Sequence, residues 1–159
     1  MSGSFGHNTI VHFDVDNDLL GFNAWLDNVT SESGSTESQV RAKSTVADVA
    51  AIVENSVAVV DFTALALGTG VTFANMTANQ VLGVLNRTVG GLGSVDGDLV
   101  GNTVKAILLV ENVENLGEYK VFEVAGTTAT GATNDFTGVS LVGTLDFGES
   151  VNLTDINIV

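Results

Sequence analysis

The chain contains no cysteine and no proline, and its only bases are Arg41, Lys43, Arg87, Lys105 and Lys120. Without cysteine there are no disulfides, thiolate metal sites or cysteine nucleophiles. Five bases stand against 19 acids, for a net charge of −14. Nucleic acid is not an expected partner, because phosphate contacts need clustered Lys and Arg. Anionic membrane surfaces are disfavoured for the same reason. No apolar run approaches the roughly 18 residues of a membrane span, so no membrane insertion is expected. The first six residues, Met-Ser-Gly-Ser-Phe-Gly, have neither the basic nor the apolar region of a classical export signal. If the protein leaves the cell, the expected route is one that needs no N-terminal signal.

Apolar residues make up 45% of the 159, and charged residues 15%. That suffices for a packed core, unlike the low hydrophobicity of a disordered acidic tail, and the length fits one domain. The acid surplus suits salty, calcium-rich or extracellular surroundings, where screening and bound cations relieve self-repulsion. A secreted domain without disulfides needs another staple, and calcium is a common one.

Residues 1–8 read as a flexible leader and 9–159 as a single β-rich domain. Residues 9–13 carry Ile10, Val11 and Phe13 and read as a strand, followed by an acidic turn over 14–18. Residues 19–29 have partly helical apolar spacing, 30–39 form a solvated Ser/Thr/Glu loop, and 45–54 are ambiguous. Residues 56–62 are a strand by β-branched content. The clearest helix spans 77–86, with Thr77 as N-cap and Gln80 at the capping-box position. The glycines of 90–93 break the chain. Residues 104–111 and 118–124 then form a hairpin around the loop 112–117, and 139–147 is a third strand. Residues 151–159 form a short terminal segment. The expected fold is mainly β (α+β), an antiparallel sandwich or roll with one or two short helices.

The strongest chemical signal is Asp14, Asp16 and Asp18. On a regular strand they would share one face about 6.6 Å apart, too far for a single ion. Curled into a loop, their oxygens could converge to the ~2.3–2.6 Å that calcium requires. A solvated acidic turn fits the same residues. The EF-hand template fails, since Leu19 stands where glycine is needed and Trp25 where glutamate is needed. Asp96 and Asp98 flank Gly97 and fit a second cation loop or an ordinary Asp-Gly turn. His7, His12 and Asp14 allow a transition-metal site, or simply surface histidines. Phe13, Phe22 and Trp25 read as core.

The stretch "FDVDND" also resembles the first motif of haloacid-dehalogenase-type phosphotransferases. That similarity would make Asp14 a nucleophile and Asp16 an acid/base. Against it, Asp18 replaces the expected Thr or Val, and repeated strand–helix alternation is lacking.

A broader resemblance rests on "TIVHFDVDNDLLGFNAWL", "NSVAVVDFTAL", "MTANQVLGVLN", "VKAILLVENVENLGEYKVFEV" and "VSLVGTLDFGESVNLTDINIV". Together these segments resemble the C-terminal region of RTX-type calcium-binding proteins, over roughly 9–28 and 55–159. The Gly-Gly-x-Gly-x-Asp nonapeptides that define the group are absent. The resemblance implies a bacterial cell-surface or extracellular protein exported by the type I secretion apparatus, with 104–159 matching the C-terminal secretion region. It also implies calcium as cofactor, with Asp18 matching the group's acid best. The expected function is non-enzymatic, as a surface-layer, matrix-filament or adhesin module. Self-association into an oligomer or a filament built by strand addition is expected alongside it.

Overall fold

Two short runs are buried at every position, 57–60 (Val-Ala-Val-Val) and 106–110 (Ala-Ile-Leu-Leu-Val). Successive strand residues point to opposite faces, so such runs are covered on both sides. This is the pattern of parallel strands rather than of a sheet wetted on one face. The computed structural model describes residues 7–9, 19–20, 39–43, 51–53, 56–86, 94–96, 103–127, 136–148 and 157–158, with side chains for 57–86, 105–126 and 136–148.

In chain order the strands are β1 (His7–Thr9), β2 (Leu19–Leu20), β3 (Gln39–Lys43), β4 (Ala51–Val53), β5 (Ser56–Asp61), β6 (Ser94–Asp96), β7 (Thr103–Glu111), β8 (Glu118–Thr127), β9 (Phe136–Asp146) and β10 (Asn157–Ile158). A 3-10 turn (Phe62–Leu65) and the helix α1 (Ala78–Leu85) lie between β5 and β6. The main sheet has the order β1-β9-β8-β7-β5-β3, and β2 with β10 and β4 with β6 form separate pairs. Among the described residues the fold is mainly β with one short helix, in line with the mainly β fold that the sequence predicts. The main sheet is mixed rather than wholly antiparallel. β7, β8 and β9 run antiparallel, whereas β3, β5 and β7 run parallel, as do β1 and β9. Parallel neighbours need a long crossover, and the connection that carries α1 supplies it between β5 and β7.

α1 covers one face. Its Val81, Val84 and Leu85, with Leu65, Phe73 and Met76, join Ala58, Val60, Ala106, Leu108, Val110, Phe122, Val124 and Phe136 in one core cluster. On the opposite face Val57, Val59, Ile107, Leu109, Tyr119 and Val121 are buried as well. The helix begins as the sequence predicts. Gln80 N donates to Thr77 Oγ1 (3.3 Å), and Thr77 N donates to Gln80 Oε1 (2.8 Å), which satisfies two amides the helix leaves unpaired. At the other end Asn86 Nδ2 donates to the Phe136 carbonyl (3.1 Å), tying the helix to the start of β9. No helix among the described residues is long and apolar enough to cross a membrane.

Other elements differ from the sequence expectation. β1 takes in His7 and Asn8, assigned above to the leader, because it pairs with Thr144–Asp146 at the far end of the chain. Leu19 and Leu20 are a strand rather than a helix start, paired with Asn157 and Ile158. β3 begins at Gln39, the end of the expected loop, and β4 settles part of the ambiguous 45–54.

Leu108 is fully buried between α1 and the sheet. Leu108→Ala is expected to cost about 2–5 kcal/mol, and Thr77→Ala about 1 kcal/mol through loss of the cap. Urea denaturation of the two variants checks both values.

Candidate functional site

Of the carboxylates singled out from sequence, Asp14, Asp16, Asp18 and Asp98 lie outside the described residues, as do His12, Phe13, Phe22 and Trp25. Asp96 is the last residue of β6, in register with Val53 of β4, and His7 opens β1 beside Thr144. Among the described residues no group of three or more His, Asp or Glu is placed to hold a metal ion.

Several of the charged side chains that are described lie at one end of the main sheet. β5 and β7 finish there with Asp61 and Glu111, β8 begins there with Glu118, Tyr119 and Lys120, and β9 finishes there with Asp146. Register sets Asp61 beside Glu111, Glu111 beside Tyr119, and Glu118 beside Asp146. Carboxyl ends of parallel strands are a common ligand position in open sheets. The partners of these groups therefore decide what this end can do.

Lys120 is only 7% exposed. Strand alternation puts it on the face of Phe122 and Val124, toward α1. Its Nζ donates to the carbonyls of Ala74 (2.9 Å) and Met76 (3.3 Å), and lies 5.3 Å from the centre of the Phe73 ring. Phe73 meets Phe62 edge to face, with centroids 6.2 Å apart. Burial lowers the Lys120 pKa below the ordinary lysine value, and the Glu118 carboxylate opposes that shift. The ammonium thus ties β8 to the segment that leads into α1. That segment is closed in its own right. Thr72 N donates to Asn75 Oδ1 (2.7 Å), and Asn75 Nδ2 donates to the Gly70 carbonyl (3.1 Å). Gly70 sits at φ +87°, a conformation that favours glycine.

On the other face the Tyr119 hydroxyl donates to Glu111 Oε1 (3.0 Å), and its ring meets Phe147 edge to face at 5.9 Å. Burial first, then the charges of Glu111 and Asp61, raise the Tyr119 pKa above the usual phenol value. The phenol is held protonated as a donor. At the hairpin, Glu118 Oε2 accepts from Asn112 Nδ2 (2.7 Å) and Asn115 Nδ2 (3.3 Å). Glu114 N donates to Asn112 Oδ1 (3.0 Å), which closes the turn. Phe147 N donates to the Gly117 carbonyl (3.1 Å), and Gly148 N donates to Asp146 Oδ1 (2.9 Å). Further along β8, burial raises the Glu123 pKa, with Lys105 opposing.

These groups hold turns and connections to the sheet. Lys120, Tyr119 and Glu111 were not among the residues singled out from sequence. The usable signal is alternation: in Glu118-Tyr-Lys-Val-Phe-Glu-Val124, Lys120 shares a face with Phe122 and Val124. The chain matches no protein-family model, and no curated protein or solved structure matches it.

A raised folded-state pKa on Tyr119 contributes stability that is fully present below about pH 10, the unfolded phenol's value, and is lost as pH rises beyond it. Denaturation midpoints measured upward from neutral pH should therefore fall in the alkaline range for the native chain and fall less steeply for Tyr119→Phe. Identical alkaline slopes would contradict this role.

Proposed function

We propose that the chain is a non-enzymatic structural module of a bacterial surface layer, matrix filament or adhesin. It works outside the cell, is exported by the type I secretion apparatus, and is stabilised by calcium. The observation that carries this is the use made of the polar groups at the sheet end. The buried ammonium of Lys120 is bonded to backbone carbonyls, the Tyr119 phenol to Glu111, and the Glu118 carboxylate to two asparagine amides. The Lys120 contacts join β8 to the segment before α1, the Tyr119 contact joins β8 to β7, and Glu118 closes the hairpin turn, which supports a structural role. The net charge of −14 and the absence of cysteine support a setting rich in cations and independent of disulfides. The resemblance of 104–159 to type I secretion regions supports the route. Self-association belongs to the same proposal, since surface layers and filaments are built from repeated contacts between copies.

Chelation by EGTA is expected to lower the melting temperature or reduce particle size, read by calorimetry and light scattering. If both stay unchanged, calcium has no part in the module. Residues 104–159 fused to a reporter should be exported by cells carrying a type I system and retained by cells lacking it.

A further inference from the structure

β9 is paired with β8 along its inner side, but β1 meets its outer side only at Thr144–Asp146. Among the described residues no strand pairs with the outer edge from Phe136 to Gly143. Open edges are templates for strand addition, and proteins normally guard them with charge, proline or bulges. This edge has neither charge nor proline: the run Phe-Thr-Gly-Val-Ser-Leu-Val-Gly-Thr-Leu, 136–145, is uncharged in a chain of net charge −14. β7 and β8, by contrast, carry Lys105, Glu111, Glu118, Lys120 and Glu123. β9 itself carries an extra residue at two places in its register with β8, Thr137 and Val142, so bulges flank the edge, and residues 138–141 between them pair regularly. Within that regular stretch Ser140 is exposed, and Leu141 is 43% exposed, one of few large apolar side chains so placed.

We propose that two copies of this chain join through the outer edges of β9, antiparallel about a two-fold axis at Ser140. Val139 then lies opposite Leu141 of the partner subunit, and Leu141 opposite the partner's Val139. Both residues lie on the α1 face, because their β8 neighbours, Val124 and Phe122, belong to the core cluster against which Val139 packs. The pairing covers the exposed Leu141 with a β-branched neighbour and continues the core from one sheet into the next. The occupant is a second copy because the edge is complementary to itself under the two-fold, the commonest symmetry of soluble oligomers. Copies this acidic repel one another, and an uncharged strand is where they approach at least cost; salt strengthens the contact by screening the remainder. The inference rests on the self-association proposed above and gives it a surface.

The absence of cysteine makes the test clean. Ser140→Cys, an exposed substitution, should form a disulfide-linked dimer under mild oxidation. Leu141→Lys should weaken dimerisation in sedimentation by about tenfold or more, with circular dichroism unchanged. If the native chain stays monomeric at millimolar concentration and high salt, both the edge pairing and the self-association are wrong. If it associates while Ser140→Cys stays reduced and Leu141→Lys associates normally, this edge alone is wrong. Continuing the β1–β9 register would put Gly3 beside Ser140. An intramolecular disulfide in the Gly3→Cys/Ser140→Cys variant would therefore show the edge taken by the chain's own N-terminal residues, and would overturn the proposal.

Discussion

One buried ammonium joins the helical layer to the sheet. Lys120 projects from β8 into a core otherwise made of aliphatic and aromatic side chains, and it bonds to two carbonyls of the segment that leads into α1. Burying a charge is unfavourable unless its donors are satisfied. Here the carbonyls of Ala74 and Met76 and the face of Phe73 satisfy them, and the two carbonyls gain a donor in return. The cap of α1 at Thr77 follows immediately, so this tie fixes the entry to the helix, which its apolar face and the Asn86–Phe136 bond hold over the sheet as well. In a chain with five bases and 19 acids, Lys120 is the buried charged residue among those described.

The same shortage of cations shapes the acids. Glu118 takes amide donors from Asn112 and Asn115, Asp146 takes a backbone N–H, and Glu111 takes the Tyr119 hydroxyl. Neutral donors keep these hydrogen bonds when salt rises, whereas exposed ion pairs weaken. A domain built this way keeps these contacts as ionic strength changes. Repulsion that remains between exposed carboxylates is what dissolved or bound calcium would relieve. The proposed stabilisation by calcium would act on those carboxylates, apart from the core that Lys120 ties together.

Local elements were legible in the sequence and long-range ones were not. The start of α1 could be read because Thr77 and Gln80 form a box four residues long. The hairpin around 112–117 could be read because turn residues separate two β-rich runs. Parallel pairing of β5 with β7 left a weaker mark, an apolar run without alternation, which alone does not distinguish a central strand from a buried helix. β1 and β3 are set by partners at Thr144–Asp146 and Ser56–Val60, so no local pattern marks them. Of the candidate site, the acids chosen from sequence lie almost wholly outside the described residues. A single lysine in a strand ordinarily lies at the surface, and Lys120 shares its face with Glu118 as well as with Phe122 and Val124, so alternation marks its burial only weakly.

Native-state hydrogen exchange on Lys120→Met tests the tie between helix and sheet most directly. The substitution keeps the length of the side chain and removes its donors, leaving the Ala74 and Met76 carbonyls without that partner. The expected result is a selective loss of protection in the amides of 78–85, equivalent to about 1–3 kcal/mol, while those of β7 keep most of theirs. Unchanged protection in 78–85 would contradict the role assigned to Lys120.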